Sequence, residues 1–202
     1  MNKSLSQTLS YVFHPLLMPT LSFGLLYVFL PEAVQPLSIM VLPFLFLTTF
    51  VIPLLSISMI RWVGTIKSIK MERREDRVVP FIYVTIFYVI TAYMFTFRIQ
   101  ANVVVYTIFV STCLLLALLT LITNWFKISI HAAGMMGVTG YLLALSLAYP
   151  GSQIYYPALI MLVCSGWVMS ARLALKAHSL KEIMAGAIVG LGLCLTSLLL
   201  VL

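Results

Sequence analysis

The sequence predicts an all-α fold: a polytopic transmembrane bundle of about seven helices, within a range of six to eight, making one domain over residues 1–202. Three observations carry this expectation. The chain of 202 residues is 62% hydrophobic and only 8% charged, with mean hydropathy +1.12, far from the surface a soluble domain needs. Its apolar runs are close to the roughly 20 residues a helix requires to cross a bilayer. Short polar segments separate those runs and leave no length for a second, soluble domain.

Apolar runs place the spans near 11–30, 38–60, 79–97, 101–123, 132–149, 155–170 and 183–202. Residues 1–10 are polar, and no small-residue cleavage site follows them, so the first apolar run reads as a retained span and not as a leader. Proline bounds or interrupts the first, second and sixth spans at Pro15, Pro19, Pro31, Pro43, Pro53 and Pro157. Bilayer helices tolerate such breaks where neighbours satisfy the freed backbone groups. Gly134, Gly137 and Gly140 in the fifth span, and Gly186 and Gly190 in the seventh, read as sites of close helix approach. Cys113, Cys164 and Cys194 are isolated in apolar runs, with neither disulfide nor metal spacing, and carry no assigned chemistry.

Alternate crossings put the N-terminus and the segments 61–78, 124–131 and 171–182 on one side of the membrane. Eleven of the twelve Lys and Arg fall there, with Arg98 alone opposite, together with all three histidines. The formal charge of +7 therefore points to lipid head groups or phosphates as partners, not to nucleic acid. Short cytoplasmic loops of any membrane protein collect Lys and Arg, so the charge bias by itself says nothing about catalysis. The spacings within three polar segments have to do so.

The first segment, KMERREDRVVP, holds Lys70 and Arg77 seven residues apart, about two helical turns, where both can face one anion. Alone it is a solvated basic loop. The second, NWFKISIH, brings Ser129 and His131 to the expected start of the fifth span, where backbone N–H groups and the helix dipole favour an anion. Alone it is an interfacial histidine. The third, ARLALKAHSLKE, has His178 and Glu182 four apart, so that on a helix the carboxylate accepts the imidazole N–H and leaves the other nitrogen nucleophilic. Arg172 precedes His178 by six residues and offers a second guanidinium fork. His14, before Pro15, falls on the same side and is left outside the site as an interfacial residue at a kink.

The order Lys-x6-Arg, Ser-x-His, Arg-x5-His-x3-carboxylate, over residues 70–182, resembles the type 2 phosphatidic acid phosphatase superfamily, which includes glucose-6-phosphatase and the vanadium haloperoxidases. The resemblance implies a lipid-phosphate phosphatase without metal or other cofactor. It assigns His178 as nucleophile, Glu182 as its orienting partner and His131 as the acid for the leaving alkoxide, with Lys70, Arg77, Ser129 and Arg172 on the phosphoryl oxygens. Departures are visible: Ile128 and Ile130 stand where the family has Pro and Gly around the serine, Ala171 where it has Ser, and Glu182 where it has Asp. Val78 and Val79 separate Arg77 from Pro80, which places that proline at the entry of the third span.

Many bacterial members of that superfamily work on the outer face of the inner membrane. Here the positive-inside rule favours a cytoplasmic site, because eight Lys and Arg remain on that side after Lys70, Arg77 and Arg172 are set apart. Three other readings stand beside the phosphatase: a phospho-group transferase on the same scaffold, a metal-dependent hydrolase using His178 and Glu182, and a transporter or head-group binder without turnover. Phosphatidic acid, phosphatidylglycerol phosphate and isoprenyl diphosphates all fit as substrates.

Overall fold

The computed structural model describes residues 1–64 and 75–202. Lys70 lies outside the described residues. Every regular element among them is helical, and seven helices are long and apolar enough to cross a membrane. They are Lys3–Phe29, Val41–Trp62, Asp76–Arg98, Val103–Thr123, Ile130–Ala148, Tyr155–Ala174 and Leu180–Leu199, termed here the first to seventh spans. The chain is an integral membrane protein built as an all-α bundle.

Proline chemistry shapes the first two spans. Pro15 bars the residue before it from the α region, and His14 is extended at φ −68°, ψ 136°. The first span therefore consists of Lys3–Val12, a 3₁₀ turn at Pro15–Leu17 and Met18–Phe29. In the second, a π turn at Leu47–Val51 immediately precedes the helical segment that contains Pro53.

Four span boundaries differ from the sequence expectation in a direction that matters. The third helix begins at Glu75, so Pro80 lies inside it and not at its entry. The fifth starts at Ile130, the sixth runs on to Ala174 and the seventh starts at Leu180. Arg77, His131, Arg172 and Glu182 thus occupy first or last helical turns. Hydropathy misses such turns because their polar residues lower the average, whereas helix caps extend the hydrogen-bonded structure past the apolar run.

The fifth span is the hub. Two thirds of its most apolar window (67%) is buried, against 22–44% for the other six spans. Small residues make this possible. A Cβ placed on Gly186 or Gly190 would collide with the carbonyls of Ser129 and Ala133, and one on Gly140 would come within 3.0 Å of the Leu191 carbonyl. The fifth and seventh spans therefore meet backbone to backbone. Side-chain hydrogen bonds add specificity: Thr139 to Ser165 at 3.2 Å ties the fifth span to the sixth, and Tyr141 to Ser111 at 2.7 Å ties it to the fourth.

Candidate active site

The end of the sixth span sets the position of His178. Lys176 takes a left-handed conformation at φ 51°, its N–H donates to the Leu173 carbonyl and the Ala177 N–H donates to the Arg172 carbonyl at 3.1 Å. This is the Schellman arrangement, with lysine where glycine is usual, and it turns the chain sharply out of the helix. Two residues later Ser179 caps the seventh span. Its hydroxyl accepts from the Glu182 N–H at 3.4 Å, while its own N–H donates to Glu182 Oε2 at 3.2 Å, a closed capping box.

The same carboxylate oxygen lies 2.8 Å from His178 Nδ1. Glu182 is thus held by the helix start it belongs to, and it in turn holds the imidazole, whose side chain is 1% exposed. The bond is read with Nδ1–H donating, which leaves Nε2 with the free lone pair. Burial first, and the charges of Arg77 and Arg172 second, push the His178 pKa down to about 4 against the pull of Glu182. The ring is thereby held neutral at physiological pH.

The other members come from three different spans, the third, fifth and sixth. Arg77 is buried, and its Nη1 donates to the Ile128 carbonyl at 3.1 Å. That contact uses the backbone of residue 128, so the isoleucine that departs from the family pattern does not prevent it. His131 Nε2 lies 3.2 Å from the Ser10 carbonyl, which can only accept, so Nε2 carries the proton. Its Nδ1 is buried without a hydrogen-bond partner among the described residues. Arg172 Nη1 donates to the Ser10 hydroxyl at 3.4 Å.

Arg77, His131, Arg172 and His178 all line one cavity of about 920 Å³. Lys3, Arg61, Lys127 and Lys176 join them, and no acidic residue does so among the described residues. Ser129 is not brought into it. The serine is fully buried, its hydroxyl accepts from the Ala132 N–H at 3.4 Å as the N-cap of the fifth span, and it does not line the cavity. In this structure its hydroxyl serves the helix start, whereas the sequence motif places it on a phosphate. Glu182 does not line the cavity either.

Comparison with known proteins adds no relative: no protein-family profile, curated protein or solved structure matches this chain. The site is therefore read from its own geometry.

Two residues of the first span enter the site that sequence reasoning left out. Ser10 bridges His131 and Arg172 through its carbonyl and its hydroxyl. His14 packs edge-on against His131, ring centroids 5.7 Å apart, and its Nδ1 accepts from the Leu16 N–H. The only sequence signal for His14 was its side of the membrane; for Ser10 there was none. Among the described residues no three His, Cys, Asp or Glu side chains gather as a metal-holding group.

Proposed function

We propose that the protein is a lipid-phosphate phosphatase of the type 2 phosphatidic acid phosphatase kind, and that His178 is its nucleophile. The observation that carries this reading is the 2.8 Å contact between His178 Nδ1 and Glu182 Oε2 in a residue pair that borders a cavity rich in cations. Phosphoryl transfer depends mostly on placing the reactants and stabilising spread negative charge, and guanidinium groups do both without a metal.

In the first step the Nε2 lone pair of His178 attacks phosphorus, a P–N bond forms and the bond from phosphorus to the leaving oxygen breaks. Arg77 and Arg172 hold the equatorial oxygens, with Lys70 assigned beside them on its sequence spacing. His131 takes up at Nδ1, which has no partner among the described residues, the proton that a phosphate monoanion carries into the site and passes it to the leaving oxygen, while Nε2–H stays on the Ser10 carbonyl. The neutral tautomer so formed then takes a proton from water as that water attacks phosphorus. The P–N bond breaks, inorganic phosphate leaves and His178 is restored.

Phosphate release from a panel of phosphatidic acid, phosphatidylglycerol phosphate and isoprenyl diphosphate, in chelator, tests the reading. Release by the native protein and its loss in His178→Ala are expected; release that needs added metal, or that survives His178→Ala, overturns it. The engagement of His131 Nε2 and the diversion of Ser129 to a helix cap favour one second reading, a head-group binder without turnover. Binding of these lipids without release of phosphate distinguishes it.

We further assign the site to the cytoplasmic face of a bacterial inner membrane, on the charge asymmetry. A cysteine introduced at Asp76 should resist an impermeant thiol reagent in intact cells and react after permeabilisation. Reaction in intact cells places the site outside.

A further inference from the structure

The cavity does not stop at the cations. From the level of His131 it continues between the spans, past Ile57, Phe81, Val84, Leu115, Leu119 and Val138, to Tyr88, Thr112 and Tyr141. Ten residues of helix separate His131 from Tyr141 and eleven separate Arg77 from Tyr88, so the apolar limb is about 15 Å deep at 1.5 Å per residue. It lies inside the bundle, because these residues are buried or half-buried while Ile86, Ile90 and Leu114 on the same helices face outward.

The deep end is polar in composition but not in what it offers. The Tyr88 hydroxyl is directed to the carbonyls of Thr49 at 3.3 Å and Leu16 at 3.5 Å. The Tyr141 hydroxyl is bonded to Ser111, Thr112 and the Ile108 carbonyl. Both phenols are committed to tying spans together. An occupant reaching them meets a closed wall of satisfied groups, which suits the end of a hydrocarbon chain and not a second polar head.

We infer that this limb is a tail site that takes up the hydrocarbon chain of the phosphate-bearing lipid, and that it sets an upper limit on chain length. The inference rests on the proposed function only in assigning an anionic head to the cation-lined mouth. Charge at one end, hydrocarbon along the wall and continuity between the two match one amphiphile lying lengthwise. An extended chain covers about 1.2 Å per bond, taking the three bonds of an extended residue as about 3.5 Å, so the limb holds about a dozen carbons.

The test uses an n-alkylphosphonate of about twelve carbons, the length that limb accepts, with a diazirine at its terminal carbon. After irradiation of the purified native protein, the label is expected on Tyr88, Thr112 or Tyr141 and is suppressed by excess unlabelled phosphonate. Label on Ile86, Ile90 or Leu114, or label that excess phosphonate does not suppress, overturns the tail site. Because a phosphonate is not hydrolysed, this outcome is independent of turnover. Deep labelling without phosphate release from any lipid would sink the phosphatase and leave the tail site standing; turnover with outward labelling would do the reverse.

Leu116→Trp fills the limb from a half-buried position that leaves the buried core of the fourth span intact. Its preference between short-chain and long-chain alkylphosphonates should shift toward the short by about tenfold or more, the discrimination that misfit in an apolar pocket produces. An unchanged preference in the folded variant overturns the length limit. If that variant does not fold, the labelling of the native protein decides.

Discussion

The backbone N–H of Ser129 donates to the carbonyl of Glu182 at 3.2 Å, joining the residue that caps the fifth span to the first turn of the seventh. Through this bond the second and third polar segments of the sequence become one structural unit. The bond requires the two helices to meet at their starts, and the glycines of the seventh span permit it.

Gly190→Ala should therefore destabilise the protein by about 1–3 kcal/mol, the usual cost of overpacking a tight contact, because its methyl group would overlap the Ala133 carbonyl. Gly192→Ala is the control, since nothing lies within 4 Å of a Cβ there. Thermal unfolding in detergent should show a lowered midpoint for the first variant and none for the second.

Glu182→Gln should lower kcat by about 10²–10⁴-fold, the range associated with losing a proton-handling partner, while leaving the fold intact. Ser179→Ala removes only the cap that steadies Glu182. It should cost about 1 kcal/mol of stability, with a smaller loss of rate. Steady-state phosphate release together with unfolding midpoints separates the two effects.

The pH dependence follows from His178. Its pKa of about 4 in the folded protein lies below the ordinary value of 6.5, so the nucleophile stays neutral as pH falls through 6.5 and is lost only near pH 4. Below pH 6.5 the unfolded chain binds this proton more readily than the folded one. The contribution of His178 to stability is accordingly present above pH 6.5 and declines between 6.5 and 4. Arg172→Ala should move the acid limb of kcat to higher pH, and Glu182→Gln to lower pH, because the first group opposes the imidazolium and the second supports it. A limb at the same pH in all three proteins would show that His178 does not control it.

Arg77→Lys and Arg172→Lys keep the charge but lose the planar fork. Each should weaken binding of a lipid phosphate by about 1–3 kcal/mol, the worth of a charge-assisted hydrogen bond, and Arg77→Lys should be the worse of the two. Arg77 also reaches the Ile128 carbonyl across 51 residues, so its loss loosens the entry to the fifth span. Titration with a nonhydrolysable alkylphosphonate measures the binding; unchanged affinity in both variants would remove them from the phosphate site.

Much of this was legible without coordinates, for reasons that differ by residue. His178 and Glu182 were paired from a spacing expected on a helix, and they do meet, but His178 precedes the helix and it is the capping box that turns Glu182 back toward it. The cap contact of Ser129 was not foreseen, because a serine before a helix has two uses, cap or ligand, and local sequence does not choose between them. His14 was set aside because the kink that Pro15 announces does not say which neighbour the ring will meet, and its contact with His131 lies 117 residues away in the chain.

Membrane residence, seven spans and the gathering of basic residues on one side were determined by the sequence itself, since hydropathy and alternation act over one helix at a time. Tertiary structure alone decided which helices are neighbours. In lipid every apolar helix face is equally acceptable, so hydropathy does not encode contact; close approach through Gly186 and Gly190, and the break at Pro15, do. Those contacts bring Ser10 between His131 and Arg172, place Arg77 on the Ile128 carbonyl and leave a cavity that runs from cations to tyrosines.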